Sequence, residues 1–279
     1  MEQFEVALAS YLDCLPTSRV KDAMRYSLLA KGKRVRPALL FACLEGYGLS
    51  KEVGFKAAAA IEMIHTYSLI HDDLPAMDDD EMRRGVKTCH KQFDEATAIL
   101  AGDALLTHAF YLASNASINP IINNGIVRYI SEYSGAMGMV YGQNLDLEGE
   151  DNTSLDLDDL RKIHYYKTGK LLTLPCILAC LLAEQTHDLD AWIKFAQTLG
   201  LAFQVQDDIL DCVASSDVLG KTTSDVRNQK TTYVSLLNIN EAQNMVDTLF
   251  EECKTILNTL NCDHQAILTL LEGIINRKK

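Results

Sequence analysis

The chain has 279 residues, of which 48% are hydrophobic and 23% are charged, a composition that excludes intrinsic disorder and low-complexity scaffolds. Its 38 acidic and 26 basic residues leave a net charge of −12, which argues against nucleic-acid binding because such a field repels phosphate backbones. With only 5 prolines and 15 glycines, the sequence is poor in the residues that punctuate sheet-rich folds and therefore predicts helices.

Regular helical periodicity runs along most of the chain, and we find no alternating strand pattern. The predicted helices are Ala57–His71, Phe93–Ser114, Ile121–Gln143, a segment from Asp156 toward Tyr166, Leu171–Ala183, Trp192–Cys212 and one or two helices within Ala242–Ile275. Two stretches, Leu171–Ala183 and Leu199–Val213, are apolar on nearly all sides, so they are either buried in a bundle or line an apolar cavity. No linker-like composition interrupts the chain, which predicts one all-α domain over residues 1–279.

No segment is predicted to span a membrane. The longest apolar run, Leu171–Ala183, contains Thr173 and Pro175 and is shorter than the roughly 20 residues that a span requires. Residues 1–5 are acidic where a signal peptide would be basic, which predicts a cytoplasmic protein. The eight cysteines have neither CxxC nor zinc-site spacing, so we expect reduced thiols, mostly in the core.

A cluster of carboxylates follows the predicted helix Ala57–His71 directly. Asp72 and Asp73 occupy its last turn, where the helix dipole disfavours anions. Because Pro75 cannot continue the helix, we expect a bend that returns Asp78 to the side of the first pair. Crowded carboxylates without histidine or thiolate favour Mg²⁺, Mn²⁺ or Ca²⁺. The alternative interpretation is a solvated acidic loop.

A second aspartate group ends another apolar helix, 135 residues later in the chain. Asp207 and Asp211 are four residues apart and therefore lie on one helix face, where they could bind the same cation. Asp208 lies between them in the sequence. Two such groups suggest two walls of one cavity, in which substrate phosphates complete the coordination of Mg²⁺. The alternative is a pair of unrelated acidic loops.

Basic residues accompany both acidic groups. They are Lys33, Arg34 and Arg36, then Arg83 and Arg84, then Lys167, and finally Lys221 and Lys230. Any one of them could be a surface charge, and we interpret Arg34 in this way. In an acidic chain their grouping near candidate metal ligands predicts an anion with several phosphate oxygens. The pattern therefore predicts two phosphate sites, one using metal and one using cations alone.

The ordered motifs resemble the trans-polyprenyl diphosphate synthases, most closely the bacterial short-chain enzymes that make farnesyl diphosphate. The motifs are Gly32-Lys33-Arg34-x-Arg36-Pro37, DDxxxxD at Asp72–Asp78 with Arg83-Arg84-Gly85, Gly102-Asp103-Ala104-Leu105, Gly142-Gln143-x-Leu-Asp146-Leu147, Lys167-Thr168-Gly169, Gln204-x-x-Asp207-Asp208-x-x-Asp211 and Asn228-Gln229-Lys230. The resemblance covers about residues 20 to 240. It implies a helical bundle around a central apolar cavity.

The implied reaction elongates an allylic diphosphate with isopentenyl diphosphate, from dimethylallyl through geranyl to (2E,6E)-farnesyl diphosphate. The resemblance implies three Mg²⁺ ions per active site, replaceable by Mn²⁺, with Asp72, Asp73, Asp78, Asp207 and Asp211 as ligands. Arg83, Lys167 and Lys221 would bind the allylic diphosphate, with Lys230 and Asp208 as further substrate contacts. Isopentenyl diphosphate would be bound without metal by Gly32, Lys33, Arg36, His65 and Arg84.

The resemblance also implies roles in handling the carbocation and in setting product length. The Thr168 hydroxyl, the Lys167 carbonyl and Gln204 would stabilise an allylic cation in a chamber without water. Tyr67, with Ser68 beside it, lies five residues before Asp72, about 7.5 Å along the helix at 1.5 Å per residue. A bulky ring there would form the floor of the chain pocket and predicts a C15 product. The alternative is that Tyr67 is an ordinary core residue.

Several alternatives stay open at this point. A geranyl or geranylgeranyl diphosphate synthase would share all the motifs, whereas a terpene cyclase would lack the second aspartate motif and the isopentenyl site. A regulatory subunit of a prenyl synthase typically loses one acidic motif, and both are present here. The sequence departs from the family at Lys31, where relatives carry glycine, and in a short loop at Gly220–Asp225. Relatives are usually homodimers, so we expect a homodimer.

Overall fold

The computed structural model describes residues 1–150, 155–218 and 231–275, and it confirms the all-α prediction. The α-helices in these ranges are α1 Glu2–Ser10, α2 Arg19–Leu28, α3 Val35–Gly46, α4 Phe55–Asp72, α5 Cys89–Gln92, α6 Glu95–Ala113, α7 Pro120–Ser134, α8 Met139–Glu150, α9 Leu157–His164, α10 Lys170–Leu182, α11 Leu189–Val218, α12 Tyr233–Leu237, α13 Ile239–Leu257 and α14 Gln265–Ile275. Two short strands are β1 Met82–Arg83 and β2 Val86–Lys87.

Helix α4 lies in the middle of the bundle and contacts α3, α6 and α10. Its residues 57–64 are buried on every side, because four consecutive alanines let neighbouring helices approach closely. The helix ends at Asp72, since Pro75 disfavours helical geometry at the residue before it. The buried first half of α4 thus supports an acidic end at the edge of the core.

The stretch Leu171–Ala183 is an interior element, whereas Leu199–Val213 is interior only in its first part and exposed at residues 211–213. Nearly all of α10 is buried, and α11 packs against α10 and α13. One buried apolar cluster extends from Phe4 in α1 to Ile274 in α14. The assignment of all 279 residues to one domain stays a prediction.

The expectation of one helix over Ile121–Gln143 is wrong, because this region forms two helices, α7 and α8. Gly135 adopts an extended conformation with ψ −152°, and a Cβ at Gly138 would collide with the carbonyl oxygen of Tyr133. The two glycines therefore allow a chain reversal that an L side chain at Gly138 would block. The glycine spacing had indicated close approach of a neighbouring backbone, and Gly138 serves instead to break the helix.

A small hairpin, β1–β2, departs from the expectation that the chain has no strands. Its turn residues Arg84 and Gly85 have φ values of 54° and 80°, the paired left-handed geometry of a tight two-residue hairpin. A run of two residues on each side is too short to produce an alternating pattern in the sequence. The hairpin matters because it presents the adjacent Arg83 and Arg84 in different directions.

The segment 165–169, between α9 and α10, is a π-helix that presents Lys167 and Thr168. Asp156 caps α9 through the backbone N–H groups of Asp158 and Asp159, which confirms the predicted acidic helix start. A Cβ at Gly142 of α8 would collide with the backbone of Lys167, so only glycine permits this approach. Gly200 of α11 packs closely on Gly169, where an added Cβ would lie 3.3 Å from the Gly169 Cα. The π-helical segment is therefore held between α8 and α11.

Among the helices of the described segments, α6 is long and apolar enough for a bilayer by length and composition alone. Of that stretch, 44% is buried inside the protein, where α6 packs against α2 and α4. Five of the eight cysteines are buried. This agrees with the expectation that most of them lie in the core.

Candidate active site

The C-terminal end of α4 brings two carboxylates together. The N–H group of Asp78 donates to the carbonyl oxygen of Asp72 at 2.9 Å, which confirms the bend expected at Pro75. Burial raises the pKa of Asp72 to about 6, and the charge of Asp78 adds to this rise while Lys167 opposes it. Asp72 therefore lies in a site that disfavours its negative charge until a cation enters.

Asp73 faces a different partner from Asp72. Its carboxylate is almost completely buried, and Oδ1 accepts from Arg83 Nε at 2.6 Å and Nη2 at 2.5 Å. Burial still raises the pKa of Asp73 to about 6, against the opposing effect of Arg83. Asp73 and Arg83 thus contact each other in this structure, and their expected contacts with metal and diphosphate stay predictions, as do those of Asp72 and Asp78.

The second aspartate group lies on α11. Asp207 follows Phe203 by four residues and therefore shares the helix face on which Phe203 lines a cavity, while Asp211 lies one turn further at the exposed end. Gln204, half-buried, lies one turn before Asp208. Asp208 accepts from the N–H group of Tyr233 through Oδ2 at 2.7 Å. This contact ties α12 to α11, and the expected contact of Asp208 with substrate stays a prediction.

Lys167 projects from the π-helical segment toward an acidic partner on α8. Its Nζ lies 2.6 Å from Oδ2 of Asp146, which is 6% exposed. Asp146 belongs to one of the sequence motifs, but no role was predicted for it. A sequence signal that could have revealed the role of Asp146 is its position one turn after Gln143, in a helix that contains no basic residue. Lys221 and Lys230, the other expected diphosphate contacts, lie outside the described residues.

A cavity of about 650 Å³ lies beside the carboxylates, between α3, α4, α11 and the hairpin. The five residues expected to bind isopentenyl diphosphate all line it: Gly32, Lys33, Arg36, His65 and Arg84. Thr168, Leu172 and Phe203 form the side that faces the π-helical segment and α11. The fold thus brings together in one cavity residues that are up to 52 positions apart in the sequence, from Gly32 to Arg84.

The charges in this cavity are strongly one-sided. Burial lowers the pKa of Arg36 to about 10, which still leaves it positive at neutral pH. Burial and the neighbouring guanidinium groups lower the pKa of His65 well below its ordinary value, so its ring is neutral. The neutral ring can accept from Arg84 Nη2, which lies 3.4 Å from His65 Nε2. A Cβ on Gly32 would lie 2.9 Å from Arg84 Nη1, so glycine makes room for this arginine.

Arg34 is not the surface charge that the sequence suggested. Its side chain is 5% exposed and forms ion pairs with Glu5 at 2.8 Å and Glu62 at 2.7 Å. These two acids strengthen its positive state, and they raise its pKa despite burial. Sequence reasoning missed Glu62 because a single acid within an apolar helix has no local partner that reveals its role.

Tyr67 lies where α4 meets α6. It is 7% exposed, its ring centroid lies 5.8 Å from that of His71, and burial raises its pKa to about 12. A Cβ on Gly102 would collide with the His71 ring, whose Nε2 lies 3.1 Å from the carbonyl oxygen of Ile99. Two rings therefore close the space between the helices. The hydroxyl of Ser68 donates within α4 to the carbonyl oxygen of His65 at 3.0 Å.

The donor set suits Mg²⁺ better than a transition metal. Asp72 and Asp78 offer hard carboxylate oxygens, and within the described ranges no group of three or more His, Cys, Asp or Glu side chains encloses a metal by itself. Mg²⁺ is commonly held by one or two carboxylates with water and substrate phosphates completing its shell. The residues therefore fit a metal that arrives with a phosphate ligand.

A family model described as polyprenyl synthetase matches residues 17–264. The chain belongs to this family. It is 45% identical to the farnesyl diphosphate synthase of Micrococcus luteus, covering 94% of this chain and 90% of that protein. It is 43% identical to the chloroplastic geranylgeranyl pyrophosphate synthase of Capsicum annuum, covering 92% and 70% respectively. A structure of the Helicobacter pylori geranyltransferase complexed with magnesium and isoprenyl diphosphate is similar with a TM-score of 0.81 at 34% identity, covering 99% of this chain and 95% of that one.

These comparisons confirm the family resemblance and the fold of the isoprenoid synthases. Both farnesyl and geranylgeranyl diphosphate synthases are among the relatives, at similar identity. A bound magnesium in a related structure agrees with the hard donor set of this polyprenyl synthetase. The product is therefore decided by details of the cavity rather than by overall similarity.

Proposed function

We propose that this polyprenyl synthetase condenses isopentenyl diphosphate with dimethylallyl and then geranyl diphosphate to give (2E,6E)-farnesyl diphosphate. The observation that carries the proposal is the pairing of two unlike diphosphate sites, one of carboxylates around Asp72 and one of cations around Arg36. Chain elongation needs both sites, because two diphosphates must be bound at once. The similarity to a farnesyl diphosphate synthase over nearly the whole chain supports the same activity.

The carboxylate end is proposed to bind the allylic diphosphate together with Mg²⁺. Asp72 and Asp78 on one side and Asp207 with Asp211 on the other would hold the metal, three ions in all, for which Mn²⁺ could substitute. Lys167 would contact the same diphosphate. Its Nζ is oriented by Asp146, whose Oδ2 lies 2.6 Å away. Asp73 would act through Arg83, which it orients. Lys221 and Lys230 are proposed as further contacts from outside the described residues.

The cationic end is proposed to bind isopentenyl diphosphate without metal. Lys33, Arg36 and Arg84 supply fixed positive charges, and guanidinium groups recognise phosphate oxygens with two parallel hydrogen bonds. The neutral His65 leaves the charge to the arginines and can orient Arg84. A terpene cyclase would not need this second site, so the cationic lining favours a synthase.

The reaction breaks the C1–O bond of the allylic diphosphate, joins C1 to C4 of isopentenyl diphosphate and transfers one proton to the departing diphosphate. Bound Mg²⁺ supplies electrostatic stabilisation of the leaving group. Lys167 and Arg83 add positive charge on the same side, and preorganised charge of this kind usually lowers the reaction barrier more than any other single effect. Thr168 and the side chain of Gln204 would face the cation, while Phe203 and Leu172 help to exclude water.

The buried ring of Tyr67 favours the farnesyl product over longer chains. With His71 it fills the gap between α4 and α6, and it lies five residues before Asp72, about 7.5 Å along the helix at 1.5 Å per residue. A C15 tail would reach this closed end, whereas a C20 tail would need the ring removed. Ser68 has its hydroxyl engaged within α4 and would contribute shape only.

We also propose that two copies of the chain form a homodimer through α6 and α7. The outward side of these adjacent helices carries exposed apolar side chains, Leu100 at 54%, Tyr111 at 60% and Ile121 at 81%. A second copy would cover this surface, and Tyr111→Glu should produce monomers in sedimentation experiments. A cytoplasmic location stays a prediction.

The decisive experiment incubates the purified full chain with labelled isopentenyl diphosphate, Mg²⁺ and either dimethylallyl or geranyl diphosphate. Chromatography of the dephosphorylated products should show C15 as the end product from both starters, and EDTA should abolish turnover. Products ending at C10 or C20 would instead assign a geranyl or geranylgeranyl synthase. Conversion of geranyl diphosphate to a hydrocarbon without isopentenyl diphosphate would indicate a cyclase.

A further inference from the structure

Arg34 lies between two cations of the isopentenyl site, but its guanidinium is engaged by groups of the protein. Nε donates to Glu5 Oε1 at 2.8 Å, and Nη1 donates to Glu62 Oε2 at 2.7 Å. Nη2 donates to the carbonyl oxygen of Leu28 at 2.8 Å and also lies 3.4 Å from that of Ala30. Arg34 lines the cavity together with its neighbours in the motif, but these contacts direct its guanidinium to groups of the protein.

The backbone at Arg34 has a geometry that needs such support. Its φ of 47° and ψ of 40° place it in the left-handed region, directly before α3 begins at Val35. For a residue with a side chain this conformation is unfavourable, and it persists where surrounding contacts impose it. This left-handed turn lies between Lys33 and Arg36, both of which line the cavity. The contacts of Arg34 thus hold the turn from which these two residues project.

Glu62 is the acidic residue among the described residues that line this cavity, and it is 3% exposed. Its charge acts on Arg36 and Arg84, stabilising the positive state of both. A carboxylate in a site for diphosphate opposes the ligand unless a cation holds it. Arg34 is that cation, with its Nη1 2.7 Å from Glu62. The contact keeps Glu62 from pairing with the arginines that must bind phosphate.

We propose that Arg34 is a positioning residue for isopentenyl diphosphate, which sequesters Glu62 and holds the turn of residues 31–36, with Glu5 fixing Arg34 from α1. The proposal rests on the proposed function of the cavity and adds a residue that does not touch substrate. It also makes the N-terminal helix α1 part of the site. Loss of Arg34 frees Glu62 to pair with Arg36 or Arg84, which weakens one substrate site and leaves the carboxylate end intact.

The first test is Arg34→Met, which removes the charge and keeps most of the side-chain volume. We expect the KM for isopentenyl diphosphate to rise about 10-fold or more, in line with one or two charge-assisted hydrogen bonds, and the KM for geranyl diphosphate to stay nearly unchanged. Arg25→Met is the matched control, because Arg25 forms an exposed ion pair with Asp13 at 3.2 Å on α2. It should change neither KM. An equal rise in both KM values for Arg34→Met would overturn the proposal.

The second test separates charge from packing. In the double variant Arg34→Met/Glu62→Gln the freed carboxylate is absent, so the KM for isopentenyl diphosphate should return toward that of the parent chain. A loss of packing alone would make the double variant worse than the single one, and that result would contradict the proposal.

The third test uses Glu5→Gln, which keeps the side-chain shape at a site that is 41% exposed and should fold even if Arg34→Met does not. Its KM for isopentenyl diphosphate should rise about 2- to 5-fold, as expected for one partly exposed charged hydrogen bond. Glu2→Gln on the same helix is the control. An unchanged KM in Glu5→Gln would overturn the role of α1. Failure of the parent chain to use isopentenyl diphosphate would overturn the proposed function instead.

Discussion

The two ends of the active-site region, each proposed to bind a diphosphate, carry opposite charges. At the carboxylate end, burial raises the pKa of Asp72 and of Asp73 to about 6. At the cationic end, burial lowers the pKa of Arg36 to about 10 and that of His65 well below its ordinary value. In both places burial disfavours the charged form of these side chains. Under the proposed function the carboxylate end binds diphosphate through a metal, whereas the cationic end binds it directly.

Each end also contains ion pairs between side chains of the protein. At the carboxylate end Asp73 pairs with Arg83 at 2.5 Å, and Asp146 pairs with Lys167 at 2.6 Å. At the cationic end Arg34 pairs with Glu62. The comparison teaches that the charge facing the substrate is only part of each site, because these ion pairs fix the charged side chains around it.

The largest effect should come from removing a metal ligand at the carboxylate end. Asp72→Asn should lower kcat about 10²- to 10³-fold, comparable to the loss of one preorganised charge-stabilising group, and leave the KM for isopentenyl diphosphate nearly unchanged. Steady-state kinetics at saturating Mg²⁺ would measure this. Asp79→Asn is the control on the same loop, because Asp79 is exposed and its φ of 50° suits asparagine. An equal loss of kcat in Asp79→Asn would contradict the proposal that Asp72, and not Asp79, is a metal ligand.

A smaller effect is expected at the cationic end, on the KM for isopentenyl diphosphate rather than on kcat. Arg84→Gln should raise the KM for isopentenyl diphosphate about 10- to 100-fold, because one charged hydrogen bond to phosphate contributes about 1.5–3 kcal/mol. The requirement for Mg²⁺ should not change. Lys87→Gln, an exposed residue on the same hairpin, provides the matched comparison. A changed Mg²⁺ requirement in Arg84→Gln would show that the two ends are not independent.

The ring of Tyr67, proposed as the closed end of the chain pocket, should control product length rather than rate. Tyr67→Ala or Tyr67→Ser removes the ring that closes the space between α4 and α6, so products should shift toward C20 and beyond. Tyr67→Phe keeps the ring and should continue to make C15. Product chromatography, with a thermal melt to verify folding, distinguishes these cases. Unchanged C15 from Tyr67→Ala would mean that Tyr67 is only a core residue.

The smallest effect is a pH dependence of stability. Asp72 and Asp73 have pKa values near 6 in the folded state and about 3.9 when unfolded. The folded chain therefore binds protons more tightly, and the free energy of unfolding of the metal-free protein should fall as pH rises from about 4 through about 6. Mg²⁺ should offset this loss, so it should raise Tm more at pH 7.5 than at pH 5. Asp72→Asn should reduce the difference, and an equal Mg²⁺ effect at both pH values would contradict it.

Much of the candidate site was predictable because its motifs are local. A helix that ends in Asp72 and Asp73 before Pro75 can be read from four or five neighbouring letters, and so can Asp207 and Asp211 on one helix face. The break at Gly135 and Gly138 was missed, because glycine within a periodic segment is compatible with either a helix or a turn.

The motif order and the apolar periodicity were enough to specify a helical polyprenyl synthetase and to predict two diphosphate sites, because helix formation and metal preference depend on residue types at short spacing. The partners of buried charges were decided by tertiary structure alone. Arg34 meets Glu5 and Glu62, Lys167 meets Asp146, and Asp208 meets Tyr233 across distances of 21 to 29 residues in the chain. Periodicity cannot reveal such pairs, because a buried charge is stabilised only by the particular side chain that packing brings to it.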